Sequence, residues 1–156
     1  MSKSVGRVEA EAESLGLRIE VTRLDAGTLT AQQAADAVGC DVDQIIKSVI
    51  LREVGGGEHF LFLTAGGNRV DFEKASRVAG AELEKADAAS IRAFTGFAIG
   101  GVSPLGHIRP IRTFMDPKIL TFGAIWAAAG TPHHVFEIAP QALRAAIGPE
   151  VCDFTA

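Results

Sequence analysis

Cysteine is scarce in this chain. Cys40 and Cys152 are the only two, far apart, with no CxxC and no Cys/His cluster around either. That spacing supports neither a disulfide framework nor a zinc site, and both read as plain buried thiols. Long hydrophobic runs are missing too. The longest, Ala124 to Gly130, is far too short to span a bilayer, so no membrane role is expected. At the start of the sequence Glu9, Glu11 and Glu13 interrupt the first turns, and no basic segment leads into an apolar run. No signal peptide is therefore expected, and the expected location is cytoplasmic. An excess of positive charge is also absent: 15 basic residues face 19 acidic ones, for a net charge of −4. Such a chain does not coat a DNA or RNA duplex through bulk electrostatics. The acidic excess sits in the first 46 residues, with four basic and eight acidic side chains, while the remainder carries eleven of each. An anionic ligand must be gripped locally, which suits the end of an RNA better than a long duplex.

What is present is an ordinary globular composition, 47% hydrophobic and 22% charged, which excludes disorder. No repeat or linker divides the chain, so residues 1–156 are expected to form one domain. Val5, Val8, Ala12 and Leu15 recur at helical spacing behind Ser2 and Ser4, and Gly16 ends the run. Leu17 to Leu24 alternates like a strand. Thr30 with Gln33 has the capping-box form for a helix over 31–38 that stops at Gly39. A strand over 47–54, a Gly55-Gly56-Gly57 turn and a returning strand over 59–65 make a hairpin, with His59 beside the turn and exposed. Asp71 and Asp87 cap two further helices, over 72–79 and up to Gly96. Strands are expected at 97–99, 111–115, 125–129 and 135–138. Asp116-Pro117 starts a helical turn and Pro140 opens a last helix. The irregular alternation predicts an α/β (α+β) domain, a mixed, curled sheet with helices around it.

Few residues suggest chemistry on their own. The loop Gly100-Gly101-Val102-Ser103-Pro104-Leu105-Gly106 allows close backbone approach, and Pro104 stiffens Ser103 toward an extended shape. Such a loop can aim backbone N–H groups at an anion or a developing oxyanion, though it reads equally as a tight connection between strands. It contains neither Gly-Lys-Ser/Thr nor GxGxxG, and the chain has no GxSxG or HExxH. Proline directly after Ser103 argues against a serine nucleophile. Lys47 sits at the start of an apolar strand, where a lysine ordinarily extends its ammonium to solvent. His133 and His134 are adjacent; on a strand they would face opposite ways and could not easily share a metal.

Taken in order, several stretches resemble the YbaK/prolyl-tRNA synthetase-associated editing domains. These are Thr30 to Ala35, Gln44 to Ile50, Asp71 to Lys74, Thr95 to Gly106 with Asp116 after it, then Ala129-Gly130, Phe136 to Ile138 and Pro140. The resemblance spans nearly the whole chain. It implies a compact domain with a mixed sheet and a trans-editing hydrolase that deacylates mischarged aminoacyl-tRNA. The family's essential lysine maps onto Lys47, and its GxxxP substrate loop onto Gly100, Gly101, Val102, Ser103 and Pro104. Thr30, Thr131 and His133 complete the expected substrate-binding set. Some members carry a histidine just after the glycine that matches Gly130. Here Thr131 stands there and His133 follows two residues later. No metal and no cofactor is implied. The partner is the 3′ end of an aminoacyl-tRNA, with prolyl-tRNA synthetase as a further candidate.

The chemistry fits such residues. An aminoacyl ester is already activated, so water can attack it, and the protein need only position the groups and stabilise charge. A lysine with an ordinary pKa near ~10.4 is a cation rather than a base. Lys47 is therefore expected to hold the terminal phosphate or the reacting ester, with loop N–H groups at the ribose or oxyanion and a ribose hydroxyl as base. Proline tRNA carrying alanine, cysteine or serine is the expected substrate. The alternatives are a non-catalytic module that binds aminoacyl-tRNA or a synthetase, and a small-molecule-binding domain without tRNA contact.

Overall fold

The computed structural model describes residues 2–25 and 30–156. The chain begins with helix α1 (Lys3–Ser14), strand β1 (Val21–Arg23) and helix α2 (Ala31–Val38), then a 3-10 turn at Val42–Gln44. The hairpin β2 (Ile46–Glu53) and β3 (His59–Ala65) follows, then α3 (Phe72–Ala79), β4 (Leu83–Lys85) and α4 (Ala88–Thr95). β5 (Arg112–Met115), a second 3-10 turn (Pro117–Thr121), β6 (Ile125–Ala128), β7 (His134–Ile138), α5 (Pro140–Ile147) and β8 (Glu150–Val151) complete it. Among the described residues no helix is long and apolar enough to cross a membrane.

Local chemistry accounts for the helix starts. Ser2 Oγ accepts from Ser4 N–H at 3.1 Å. Thr30 and Gln33 form the reciprocal capping box at α2, and Asp71 and Asp87 cap α3 and α4 through their carboxylates. The α+β class is as expected, with the strands divided between two sheets. One is mixed and five-stranded, in the order β4-β2-β3-β5-β8, and the other is antiparallel, in the order β1-β7-β6. Among the described residues a parallel bridge, Ile45 to Trp126, links them.

β3 is the centre of the larger sheet, and all seven of its residues are buried. Its period of two sorts them by kind. Leu61, Leu63 and Ala65 face the main core, while Phe60 and Phe62 face a second one under α3. There Phe62 stacks on Phe114 at 4.8 Å and meets Phe154 edge-on at 5.0 Å.

Some local expectations need correcting. His59 is only 7% exposed, because Phe94 of α4 stacks on its ring at 4.6 Å and its Nδ1 lies 2.9 Å from Gly57 O. The strand expected over 17–24 shrinks to Val21–Arg23, which pairs antiparallel with Phe136, Val135 and His134 of β7; the start of β7 at His134 sets its C-terminal end. Residues 97–99 are not a strand. Their backbone is committed to local turns: Phe97 N–H donates to Thr95 Oγ1 at 3.0 Å, and Gly101 N–H to Ala98 O at 2.9 Å. The short β4 and β8 carried no readable strand pattern.

Candidate active site

The two sheets part where β2 begins, and the gap between them is a cleft of about 530 Å³, a size that suits a small ligand. Ile45, Trp126 and Val135 supply apolar wall, and Ala31, Ala34 and Ala127 keep the side chains around it small. Lys47, second residue of β2, reaches it from the larger sheet.

Lys47 is half-buried rather than extended into water. Its Nζ donates to the carbonyl of Asn68, in the turn that follows β3. That turn is pinned from two sides. Asp43 Oδ1 accepts from Gly67 N–H at 2.8 Å. Asp116, 3% exposed, accepts through Oδ2 from Ala65 N–H at 3.1 Å and Asn68 Nδ2 at 2.9 Å. Its other oxygen accepts from Lys118 N–H at 2.9 Å, starting the 3-10 turn. A chain of hydrogen bonds thus runs from Asp116 through Asn68 to the ammonium. Burial first, and then the nearby Arg69 guanidinium, push the Lys47 pKa below its ordinary value, while Asp43 and Asp116 pull it back up.

The glycine loop reaches the same cleft from the far side. Gly100 and Val102 line it, and the loop lies against the β6–β7 turn so closely that a Cβ on Gly101 would sit 2.7 Å from Thr131 Cα. Only glycine permits that approach. The N–H groups of Val102 and Ser103 have no acceptor among the described residues, although both residues are buried. Buried amides are ordinarily paired; of the two, only Val102 lies on the cleft lining, and Ser103, wholly enclosed, lies behind it. The Ser103 side chain is fully buried and turned into its own loop, its Oγ accepting from Leu105 N–H at 3.2 Å.

Lys47, Thr30, Gly100, Val102 and Thr131 therefore share one cleft, while Gly101, Ser103 and Pro104 form the backing of the loop. Thr30 Oγ1 is occupied as an acceptor by the α2 cap at 3.1 Å. His133 precedes β7 and is not on the lining; its N–H donates to Thr131 Oγ1 at 3.1 Å. Sequence reasoning passed over His134, which does line the cleft, with Nδ1 2.6 Å from Thr131 Oγ1. Burial, Arg23 and His133 lower the pKa of His134, in that order. The Thr131-to-His134 spacing could have pointed to this pair, because a tight turn brings positions three apart together. Among the described residues no three His, Cys, Asp or Glu side chains group closely enough to hold a metal ion.

The sequence pattern of the aminoacyl-tRNA editing domain matches residues 25–146. The chain belongs to that family. A solved structure of a candidate trans-editing enzyme for prolyl-tRNA synthetase is 41% identical, with a TM-score of 0.93 over 100% of this chain and 99% of that one. YwhH, an uncharacterized protein of Bacillus subtilis, is 26% identical over 80% of this chain and 78% of its own. EbsC of Enterococcus faecalis, described as a candidate Cys-tRNA(Pro)/Cys-tRNA(Cys) deacylase, is 25% identical over 81% and 77%. Within this editing domain, Lys47 and the glycine loop lie on the matched part of the chain, whereas α1 precedes it.

Proposed function

We propose that this editing domain is a cytoplasmic trans-editing hydrolase that releases small amino acids, alanine, cysteine or serine, from mischarged proline tRNA. The observation that carries the reading is the meeting of Lys47 with the Gly100–Pro104 loop across one cleft. The names carried by its relatives support the same substrate class.

In this reading the aminoacyl ester lies between the two sheets. The Lys47 ammonium, aimed by Asn68, holds the terminal phosphate or the ester oxygen. The loop's backbone amides on the cleft side, that of Val102 first, donate to the ribose or to the oxyanion that forms when water attacks, and a hydrogen-bond donor placed there acts mainly on the transition state. A ribose hydroxyl of the substrate takes the proton from the water as it passes its own to the departing ribose oxygen, so the ester C–O bond breaks to give the free amino acid and the uncharged tRNA end. The site residues are Lys47, Thr30, Gly100, Gly101, Val102, Ser103, Pro104 and Thr131, with His133 fixing the Thr131 hydroxyl. The alanine-rich walls suit a small side chain. A synthetase pocket separates amino acids that differ by one methylene by only about 1–3 kcal/mol, so a second sieve has work to do. Prolyl-tRNA synthetase is the partner from which such a protein would receive its substrate.

The test is deacylation of a panel of mischarged tRNAs, proline tRNA first. Wild type is expected to release the small amino acids, and Lys47→Ala to fall by at least about 100-fold, the scale of losing one oxyanion-type contact. Chelator is expected to leave the rate unchanged. No release from any tRNA ends the enzyme reading, and binding without release would make the protein a recognition module instead.

A further inference from the structure

The substrate loop is held from behind by an element outside the family match. Val8 and Ala12 of α1 are buried in the same core as Phe97, Val102 and Leu105. The contact is close at Gly106, whose φ is +81° and where a Cβ would lie 2.9 Å from Val8 N. Backbone meets backbone there, and a side chain would force the loop away from the helix.

Two side chains complete the attachment. Arg7 of α1 donates through Nη2 to Gly96 O at 2.6 Å and through Nε to Gly106 O at 3.2 Å, with its guanidinium 5.0 Å from the Phe97 ring centre. Gly96 and Gly106 bracket the loop, so one planar cation ties both its ends. His107 Nε2 donates to Ser103 O, in the middle of the loop, at 2.6 Å, and its ring meets Phe97 edge-on at 5.3 Å. Its Nδ1 is buried and has no partner among the described residues. A proton added there would find no acceptor in place. The charged groups facing the imidazole are Glu11 and Arg7, both from α1.

We propose that Arg7 and His107 are positioning residues of the editing site, which lock the Gly100–Pro104 loop onto α1, and that the lock needs the neutral imidazole. The proposal rests on the loop being the substrate wall. Neither side chain lines the cleft, so both act through Gly100 and Val102. Burial supports the titration part, lowering the His107 pKa more strongly than the Ser103 carbonyl and Glu11 raise it. Activity that depends on the neutral form is then complete above about pH 6.5, the ordinary histidine value, and is lost as pH falls through the lowered one.

Two measurements test it on the full chain, with thermal unfolding of every variant alongside. Amide exchange across residues 100–106 reads the lock without substrate. It is expected to speed up in Arg7→Ala and His107→Ala and to stay near wild type in His107→Gln, which keeps a donor near the Nε2 position. Deacylation kinetics between about pH 5 and 8 read its consequence. Arg7→Ala is expected to lose about tenfold or more in kcat/KM, the worth of a charged hydrogen bond, and His107→Ala about two- to tenfold, the worth of a neutral one. Arg7→Lys recovers part of that loss, and His107→Gln flattens the acid limb. If Arg7→Ala does not fold, Arg7→Lys carries the same comparison. Unchanged exchange and kinetics in the alanine variants, or an acid limb that persists in His107→Gln, overturn the proposal. An inactive wild type whose loop exchange still responds to Arg7 and His107 would sink the enzymatic reading and leave the lock standing.

Discussion

The aromatic core under α3 and the cleft at the parting of the sheets use the same hairpin in opposite ways. On one side β3 offers Phe60 and Phe62, which close against Phe114 and Phe154 with nothing left over. On the other, the start of β2 and the turn after β3 hold a half-buried ammonium and a pinned turn, and the glycine loop faces them with a Val102 amide that has no acceptor among the described residues. The first region spends its residues on stability. The second keeps polar groups under-satisfied, which is costly in a core and useful only where a ligand completes them.

The sharpest way to break that contrast is to exchange what each region loses. Phe62→Ala removes a fully buried ring and should cost about 3–5 kcal/mol of unfolding free energy. The protein that still folds should keep its kcat, because the ring lies on the face of β3 away from the cleft. Lys47→Met should do the reverse. It abolishes deacylation while Tm stays at or slightly above wild type, since the variant no longer desolvates a cation. Chemical denaturation and deacylation rates on the same preparations check both. A Lys47→Met variant that unfolds as easily as Phe62→Ala would mean that the lysine is a structural residue.

Asp116 is buried behind the cleft, against the turn that follows β3, and Asp116→Asn sharpens where the site ends. Its carboxylate accepts three hydrogen bonds, from Ala65, Asn68 and Lys118. An amide keeps one acceptor oxygen and sets an N–H against one of those donors. The expected cost is about 1–3 kcal/mol, the penalty of a buried donor left unpaired. A fall in kcat should accompany it, because Asn68 then releases its carbonyl from Lys47. Loss of stability with kcat intact would separate the Asp116 network from the site.

How far the sequence could be read follows the same division. Caps and hairpins were legible because their signals are local: Thr30 with Gln33, Asp71, Asp87 and the Gly55–Gly57 turn each act within a few residues. The burial of His59 was not, since the ring that covers it comes from α4. Lys47 and the Gly100–Pro104 loop could be paired only through family resemblance; no local pattern says that residues so distant face one cleft. The roles of Asn68, Asp116 and Arg7 were hidden for the same reason. Their hydrogen bonds cross 21, 48 and 89 or more positions of chain. His133 entered through the family's histidine after the glycine that matches Gly130, and nothing in that resemblance singled out His134, the first residue of β7.

The smallest expected effect concerns the rim of the cleft. Arg69 is exposed, close enough to Lys47 to depress its pKa, and in none of the ion pairs among the described residues. In a chain of net charge −4, an unpaired guanidinium beside the site is a local grip for RNA phosphate. Arg69→Ala should therefore lower kcat/KM on mischarged tRNA and reduce the slope of its logarithm against log salt by about 0.7, the share of one single-strand phosphate. On an aminoacyl ester of adenosine, which has no phosphate to grip, the rate at neutral pH should not change. Removing Arg69 also removes the second-largest cause that lowers the Lys47 pKa, so the alkaline limb should move upward. A salt slope unchanged by the substitution would confine electrostatic recognition to Lys47. An equal loss on both substrates would make Arg69 part of the chemistry rather than of the grip on the RNA.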